Sequence, residues 1–512
     1  MKADKRKVGS MKSVHKRLTS SVQLEDITDG GDRLLQGTFK TEVTELITDS
    51  RRVIKNSAFF AIPGSLKNGN DYIEEAIRRG ASTIISSEEK LNLPSNISNV
   101  YTENPRLALA KFAKKYHGSP DQYLDVVGVT GTNGKTTVTS LVRHLLERPG
   151  KPVGLIGTVR YHLGDREVPS FRTTPEASDI YPLLRSMLVA GCTEAVMEVS
   201  SHGIHQCRVA GMNMEVAVFL NLTRDHLDYH GNMESYFCEK RKIFNGENGS
   251  LPKIAVVNTD CPYGKRLIEE LPPQVQVVTF GEGENATFRA RNIKLSGTGS
   301  EFILDGPFGS TVVSSSLLGG YNVMNLLAAF STVYALQHDV KQAIHKISNF
   351  SGVDGRMERI DRGQGYRVVV DYAHTPDALR NALCMLRECT KGKLHIVFGC
   401  GGNRDKGKRL EMTKIACAGA DKVWATTDNP RTESIQEIFS DMKKGTSKSS
   451  KINFIEDRRR AISMALDHAV EDDCVLIAGK GHESFQEVQY TAIPFDDRIV
   501  AGELLTAKQL AS

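Results

Sequence analysis

The sequence predicts an α/β protein of three domains: a small N-terminal α/β domain, a central parallel-sheet domain of the phosphate-loop (P-loop ATPase-like) type, and a C-terminal doubly wound, Rossmann-like domain. Three observations predict it. A chain of 512 residues has room for about three domains of ordinary size. Short apolar, β-branched runs alternate with stretches of helical period along its length, the pattern of parallel sheets covered by helices. Many of those runs stop at polar or glycine-rich loops, and the carboxyl edge of an open parallel sheet is where such folds bind ligands. The expected division is a basic, disordered tail at 1–21 and domains at 22–104, 105–352 and 353–512.

Composition narrows the class. Hydrophobic residues make up 40% and charged residues 25%, the proportions of an ordinary globular protein. A net charge of +5 is mild for this length; it suits an anionic substrate without calling for nucleic acid. Nine cysteines without a C-x-x-C pair read as reduced thiols, hence a cytoplasmic protein. No apolar run approaches the roughly 18 residues of a membrane span. The basic start Met1-Lys2-Ala3-Asp4-Lys5-Arg6-Lys7 is followed by no apolar signal core. A monomer acting on small molecules is expected.

In the first domain, Ala58 to Ile62 reads as a strand ending at Pro63-Gly64. Asp71 to Arg79 reads as a helix with Ile73, Ala76 and Ile77 on one face, and Ser82 to Ile85 as a further strand.

The central domain holds the most specific signal. The apolar run Tyr123 to Val129 reads as a buried strand, and Val138, Leu141, Val142 and Leu145 recur at helical spacing. Between them lies Gly131-Thr132-Asn133-Gly134-Lys135-Thr136-Thr137. Strand, glycine loop, helix is the setting in which backbone N–H groups and a helix N-terminus enclose phosphate. Lys135 can reach the β- and γ-phosphates of ATP, and the Thr136 hydroxyl can ligate Mg2+. Val129 stands where the common phosphate-loop pattern has its first glycine.

Other central strands end in polar residues at the same edge. Ala195-Val196-Met197 runs into Glu198, a carboxylate suited to Mg2+. Val216 to Leu220 ends at Asn221, and Ile254 to Val257 at Asn258. The string Asp225-His226-Leu227-Asp228-Tyr229-His230-Gly231 gathers two imidazoles and two carboxylates, fitting a metal or an acid–base site, and spacing alone does not say which. Asn322 and Asn325 lie one turn apart at the start of a helix predicted over Leu326 to Leu336.

The third domain has strands at Arg367 to Val370, Leu394 to Phe398, Lys422 to Ala425 and Val475 to Ala478, each followed by a polar loop. These are Asp371 to Asp377, Gly399 to Asp405, Asp428-Asn429-Pro430-Arg431 and Gly479-Lys480-Gly481-His482-Glu483. Together on one sheet edge they would make a charged pocket.

TGTNGKT resembles the ATP loop of the Mur ligases and of their relative folylpolyglutamate synthetase, which join an amine to a carboxylate at the expense of ATP. DSR-x-V with FFAIPG, MEVSSH, the DHLDYHG string, Tyr236-x-x-x-Lys240 and G-x-[FY]-N-x-x-N resemble Mur motifs too, so the likeness covers nearly everything beyond the first twenty or so residues. It implies that the N-terminal domain holds the UDP end of the substrate, through Thr48, Ser50 and Ser65-Leu66-Lys67. Thr173, Thr174, Ser200, Gln206 and Arg208 then extend that site. It implies that Glu198 holds the ATP-linked Mg2+ and His226 helps hold a second. It implies that Lys240 is carbamoylated by CO2 into an anionic metal ligand. Asn322, Asn325 and Arg356 then contact ATP.

The Asp428-to-Arg431 loop resembles that of the meso-diaminopimelate-adding branch of the family; lysine-adding relatives differ at Arg431. An arginine fork can bind the distal carboxylate of diaminopimelate bidentately. Arg404 can do likewise, Glu483 and Asp428 suit the distal ammonium, and Asn429, Pro430 and Gly479 complete the pocket. The expected reaction is ATP-driven amide formation through an acyl phosphate on UDP-N-acetylmuramoyl-L-alanyl-D-glutamate. Two alternatives are a non-catalytic ATP-binding module and a ligase for another substrate.

Overall fold

The computed structural model describes residues 21–64, 67–446 and 451–511. The basic tail at 1–20 and the predicted site residues Ser65 and Leu66 lie outside the described residues.

The N-terminal sheet has five strands, in the order Arg33–Gln36, Ser98–Tyr101, Ala81–Ser86, Ser57–Phe60, Glu45–Ile47. All pairs are parallel except the first. Ser57–Phe60 is buried on both faces, which explains its unbroken apolar run. The helix Pro105–Tyr116 starts where Asn104 accepts hydrogen bonds from the Arg106 and Leu107 amides, with proline in its first turn. Its Phe112 ring meets Phe60 edge-on at 5.5 Å, and the helix also packs on Ala177–Val189 of the central region. One continuous core therefore joins the first two sheets.

The central sheet has eleven strands. Its parallel heart runs Gly154–Ile156, Glu194–Glu198, Asp125–Thr130, Val216–Phe219, Ile254–Asn258, Gln276–Gly281. Helices Lys135–Leu146 and Gly320–Ala335 pack together over one face. The far end is an antiparallel ribbon of Phe288–Ser296, Gly299–Gly306 and Gly309–Ser315, whose alternating burial suits a half-exposed sheet. The helix predicted from Leu326 begins at Gly320. Gly319 precedes it at φ 85, so Asn322 lies inside the first turn, with its amide donating to the Leu318 carbonyl at 2.8 Å.

The third sheet has six strands, ordered Glu358–Arg359, Arg367–Asp371, Cys474–Ala478, Leu394–Cys400, Lys422–Thr427, Ile452–Phe454. All but the first pair run parallel. A two-stranded hairpin, Phe485–Val488 with Thr491–Pro494, follows the last core strand, and the sequence reading does not contain it.

Candidate active site

The loop after Asp125–Thr130 is held from the neighbouring strand. Asn221 Oδ1 accepts from the Asn133 amide at 2.9 Å, and its Nδ2 donates to the Asn133 carbonyl at 3.1 Å. Gly134 turns the chain into the helix at φ 90, where a Cβ would lie 2.4 Å from Asn325 Oδ1. Lys135 folds back over the loop, donating to the carbonyls of Gly131 at 2.8 Å and Thr132 at 2.9 Å. Burial pushes its pKa down, while Glu198 and Asp225 oppose that shift.

Glu198 ends the adjacent strand, as its position in the sequence predicts, and is almost wholly buried. The Thr136 hydroxyl donates to its Oε2 at 3.1 Å. Thr158 grips it twice, through its amide to Oε1 at 2.7 Å and its hydroxyl to Oε2 at 3.0 Å. A Cβ on Gly157 would stand 2.7 Å from Oε1, so glycine leaves the carboxylate its place. This buried oxygen pair at the phosphate loop suits a hard cation that completes its shell with phosphate and water. Among the described residues no three His, Cys, Asp or Glu side chains gather into a metal cage of their own.

Lys240, on the helix Met233–Asn245, is buried beneath the same loop. Its Nζ donates to the Gly131 carbonyl at 2.9 Å and the Thr130 hydroxyl at 3.3 Å. Burial and then the neighbouring Lys135 hold its pKa well below that of a free lysine. His226 has a left-handed backbone, φ 53, and its Nε2 lies 3.4 Å from Asp225. Its ring sits 4.8 Å from that of His202, which stacks towards Tyr229 and His230.

A cavity of about 420 Å³ joins this edge to the third domain. It is lined by the loop, Glu198, His226, Asn322, Asn325 and Arg356, and from the other side by Tyr372 and His374. Arg356 stacks on Tyr372 at 4.4 Å and donates to Thr136 Oγ1 at 3.2 Å. Asp377, in the first turn of Pro376–Glu388, accepts from Asn133 Nδ2 at 3.2 Å and Thr223 Oγ1 at 3.1 Å.

The predicted amine-binding residues form a second cluster. Arg431, at φ 53, donates to Glu487 Oε2 at 2.8 Å and the Gly402 carbonyl at 2.8 Å. Its amide bonds the Glu487 carbonyl at 3.0 Å, joining the loop to the hairpin. Asn429 Nδ2 donates to Glu483 Oε2 at 2.9 Å. Gly479, at φ 113, approaches Asp428 so closely that a Cβ would stand 2.7 Å from Oδ2. Pro430 carries the turn, and Arg404 stands exposed on the loop after Leu394–Cys400.

The predicted UDP-side residues divide. Thr174 Oγ1 donates to the Glu198 carbonyl at 2.9 Å and accepts from the Ser200 amide at 3.0 Å, and Thr173 Oγ1 meets Thr158 Oγ1 at 3.1 Å. Arg208 donates to the Thr174 carbonyl and to Gln206, both at 2.7 Å. Thr48, Ser50 and Lys67 lie on the N-terminal sheet's edge instead, outside the walls of the cavity. The Ser50 hydroxyl donates to Glu75 at 2.7 Å.

Models of the Mur ligase middle domain, the Mur ligase glutamate ligase domain and the Mur ligase family catalytic domain match residues 129–333, 355–481 and 42–117. The UDP-N-acetylmuramoyl-L-alanyl-D-glutamate–2,6-diaminopimelate ligase of Listeria monocytogenes serotype 4b (strain F2365) is 41% identical over 90% of this chain and 94% of that one. The chain belongs to the Mur ligase family. The ligase of the same name from Solibacter usitatus (strain Ellin6076) is 42% identical over 91% of this chain and 94% of that one. A solved structure of a Mur ligase of that name covers 96% of this chain and 99% of its own, at 33% identity and a TM-score of 0.67. A MurF ligase from Thermotoga maritima in complex with ADP shares the fold at 22% identity and a TM-score of 0.60, over 91% and 96% of the two chains.

Within this Mur ligase, sequence reasoning missed Thr158 and Glu487, and it gave Asp377 and Lys480 only as members of polar loops, without a role. Thr158 follows a strand of three residues, and Asp377 sits in a helix's first turn, where a carboxylate has an ordinary local reason to be. Lys480 and Glu487 gain their roles only when the hairpin folds back against the Asp428–Arg431 loop.

Proposed function

We propose that this chain is an ATP-dependent ligase that joins meso-diaminopimelate to UDP-N-acetylmuramoyl-L-alanyl-D-glutamate in the cytoplasm, as a monomer in peptidoglycan precursor synthesis. The observation that carries the reading is the junction at the phosphate loop. Buried Glu198, Thr136 and Lys135 face one cavity walled by both larger domains, and Lys240, its pKa lowered by burial, lies beneath the same loop. The names of the relatives support the choice of substrates. The three functional units are residues 22–104, 105–352 and 353–512, and the nine free cysteines suit a reducing compartment.

ATP lies on Gly131–Thr137, with Asn322, Asn325 and Arg356 on its flank. Lys135 exchanges its two loop carbonyls for phosphate oxygens. Thr136 and Glu198, and His226 with carbamoylated Lys240, provide oxygen and nitrogen donors for two Mg2+ sites. Bound Mg2+ offsets the negative charge that builds up on the transferred phosphoryl group. A carbamate on Lys240 supplies an anionic oxygen, and its remaining N–H keeps one donor for the Gly131 carbonyl. The γ-phosphoryl group passes to the D-glutamate side-chain carboxylate, and ADP is released. The diaminopimelate amine attacks the acyl carbonyl, a C–N bond forms, the C–O bond to phosphate breaks, and a proton is lost. Arg431 and Arg404 bind the distal carboxylate, with Asp428, Asn429 and Glu483 around the distal amine. Thr48, Ser50 and the 65–67 turn hold the uridine end; Thr173, Thr174, Ser200, Gln206 and Arg208 lead towards the junction.

The test is ATP-dependent phosphate release with UDP-N-acetylmuramoyl-L-alanyl-D-glutamate, comparing meso-diaminopimelate with L-lysine. Release with diaminopimelate alone is expected. Release with L-lysine would keep the ligase and overturn the specificity, and release with neither amine would overturn the ligase.

A further inference from the structure

Lys480 is a charged residue with no solvent exposure, yet it stands in the middle of the third domain's polar edge. Its three ammonium protons are all used. It donates to Asn429 Oδ1 at 3.1 Å, to Glu483 Oε2 at 3.0 Å and to the Phe485 carbonyl at 2.6 Å. One side chain thus ties the Asp428–Arg431 loop, the Gly479–Glu483 loop and the hairpin together. A full set of acceptors, one of them anionic, offsets the desolvation cost of burying an ammonium.

The consequence lies in what remains for a ligand. Glu483 Oε2 already accepts from both Lys480 and Asn429. Glu487 is paired with Arg431 at 2.8 Å. The Asp428 carboxyl is buried, which opposes ionisation, but Arg458 and Lys480 outweigh this and hold it below the usual carboxylate range. Each carboxylate of the cluster faces a cation of the protein's own. A substrate ending in a bare ammonium therefore meets Glu483 with Lys480 behind it. A substrate whose far end is a zwitterion brings a carboxylate for exposed Arg404 and for Arg431, which shares it with Glu487, and its ammonium need only share Glu483.

We propose that Lys480 is a specificity-determining residue: by neutralising Glu483 from inside the fold, it excludes amines that end in an ammonium alone and admits those that also carry a distal carboxylate. The argument rests on the reading of this edge as the amine-substrate pocket. The structure's part in specificity is then partly repulsive, a cation placed against the wrong ligand as well as arginines placed for the right one.

The experiment compares wild type with Lys480→Met and Lys480→Gln in the full chain, measuring kcat and KM for meso-diaminopimelate and L-lysine, with KM for ATP as a control. Both variants should lower the diaminopimelate-to-lysine ratio of kcat/KM by about tenfold or more, the scale of one like-charge contact in a partly wet pocket, through a lower KM for L-lysine. KM for ATP should hold. Lys480→Gln retains a donor for Asn429 or Glu483, so it covers the case in which the methionine variant fails to fold. Lys480→Arg keeps the charge and should keep the ratio. An unchanged ratio in the neutral variants, a parallel loss for both amines, or a fallen ratio in the arginine variant would overturn the proposal. Wild-type enzyme inactive with either amine would instead remove the function reading on which it stands.

Discussion

The two polar sheet edges of this Mur ligase carry similar residue types in opposite states. At the central edge, the cations rest on neutral oxygens. Lys135 and Lys240 both donate to the Gly131 carbonyl, and burial favours loss of the Lys240 proton. At the third domain's edge, the cations are paired with carboxylates: Lys480 with Glu483, Arg431 with Glu487, and buried Arg458 bidentately with Asp497 at 2.7 and 2.8 Å. Under the proposed function, the difference is one of task. Groups that follow a reaction must change partners when charge arrives, so weakly held cations suit them. Groups that recognise a fixed shape do so best when already locked in place.

The largest expected effect comes from removing Lys240, the buried amine of the central edge. Lys240→Ala should lower kcat by about 10²–10³-fold, the scale of losing one charge-stabilising group in a transition state. Short carboxylic acids should restore part of it by lending the missing anionic oxygen. Full activity without rescue would break the contrast, because Lys240 would then be a packing residue. The third domain's edge should respond in binding rather than in turnover. Arg431→Ala removes a charge-assisted contact of about 1–3 kcal/mol, so KM for diaminopimelate should rise while kcat and KM for ATP change little. A fall in kcat of the Lys240 size would mean that this edge shares in the chemistry.

Acid separates the two edges by stability. Burial holds His202 at the central edge, and His374 and His482 facing it, down to about 4. Free imidazole titrates near 6.5, so between roughly pH 6.5 and 4 the unfolded chain binds more protons than the folded one. Stability from these residues is therefore complete above about pH 7 and is lost as pH falls through that window. Asp428, held low, gives up its share only below the ordinary carboxylate range. Thermal unfolding should show a midpoint that is flat from pH 7 to 8 and declines from pH 6.5 to 5. A midpoint unchanged across that range would show that these imidazoles titrate alike folded and unfolded.

The central edge was largely legible in the sequence because its chemistry is local. The phosphate loop lies between its own strand and helix, and Glu198 is placed by the last residue of an apolar run. Lys240 needed its resemblance, since Lys240-Arg241-Lys242 taken alone reads better as a basic helix face. The third domain's edge was legible only in its loops. Arg431 was readable as a carboxylate fork, but its pairing with Glu487 depends on a hairpin whose strands, Phe485–Val488 and Thr491–Pro494, are short and largely exposed, so no buried face marks them. Lys480 reads as a loop lysine until the distant Asn429 and its own neighbours Glu483 and Phe485 close around it. The ribbon at 288–315 was missed for a related reason: antiparallel strands with one wet face lack the unbroken apolar run that revealed the parallel ones.

The smallest effect tests how the two edges communicate. Asp377 belongs to the third domain, yet its carboxylate accepts from Asn133 in the phosphate loop and Thr223 at the end of the next strand. The donors are neutral but the acceptor is a carboxylate, so each bond is worth about 1.5–3 kcal/mol before water and salt weaken it at this open cavity. A carboxylate beside a loop that receives phosphates also repels them. Asp377→Asn keeps an acceptor for Asn133 and removes that charge; Asp377→Ala removes both. If the contact mainly braces the loop, ATP should bind more weakly to the alanine variant by a few-fold and to the asparagine variant hardly at all differently. If charge dominates, both variants should bind ATP more tightly. Nucleotide titration of the two variants side by side decides between bracing and repulsion. The bracing outcome is expected, because two hydrogen bonds hold the loop directly whereas repulsion across a wet cavity is screened by salt.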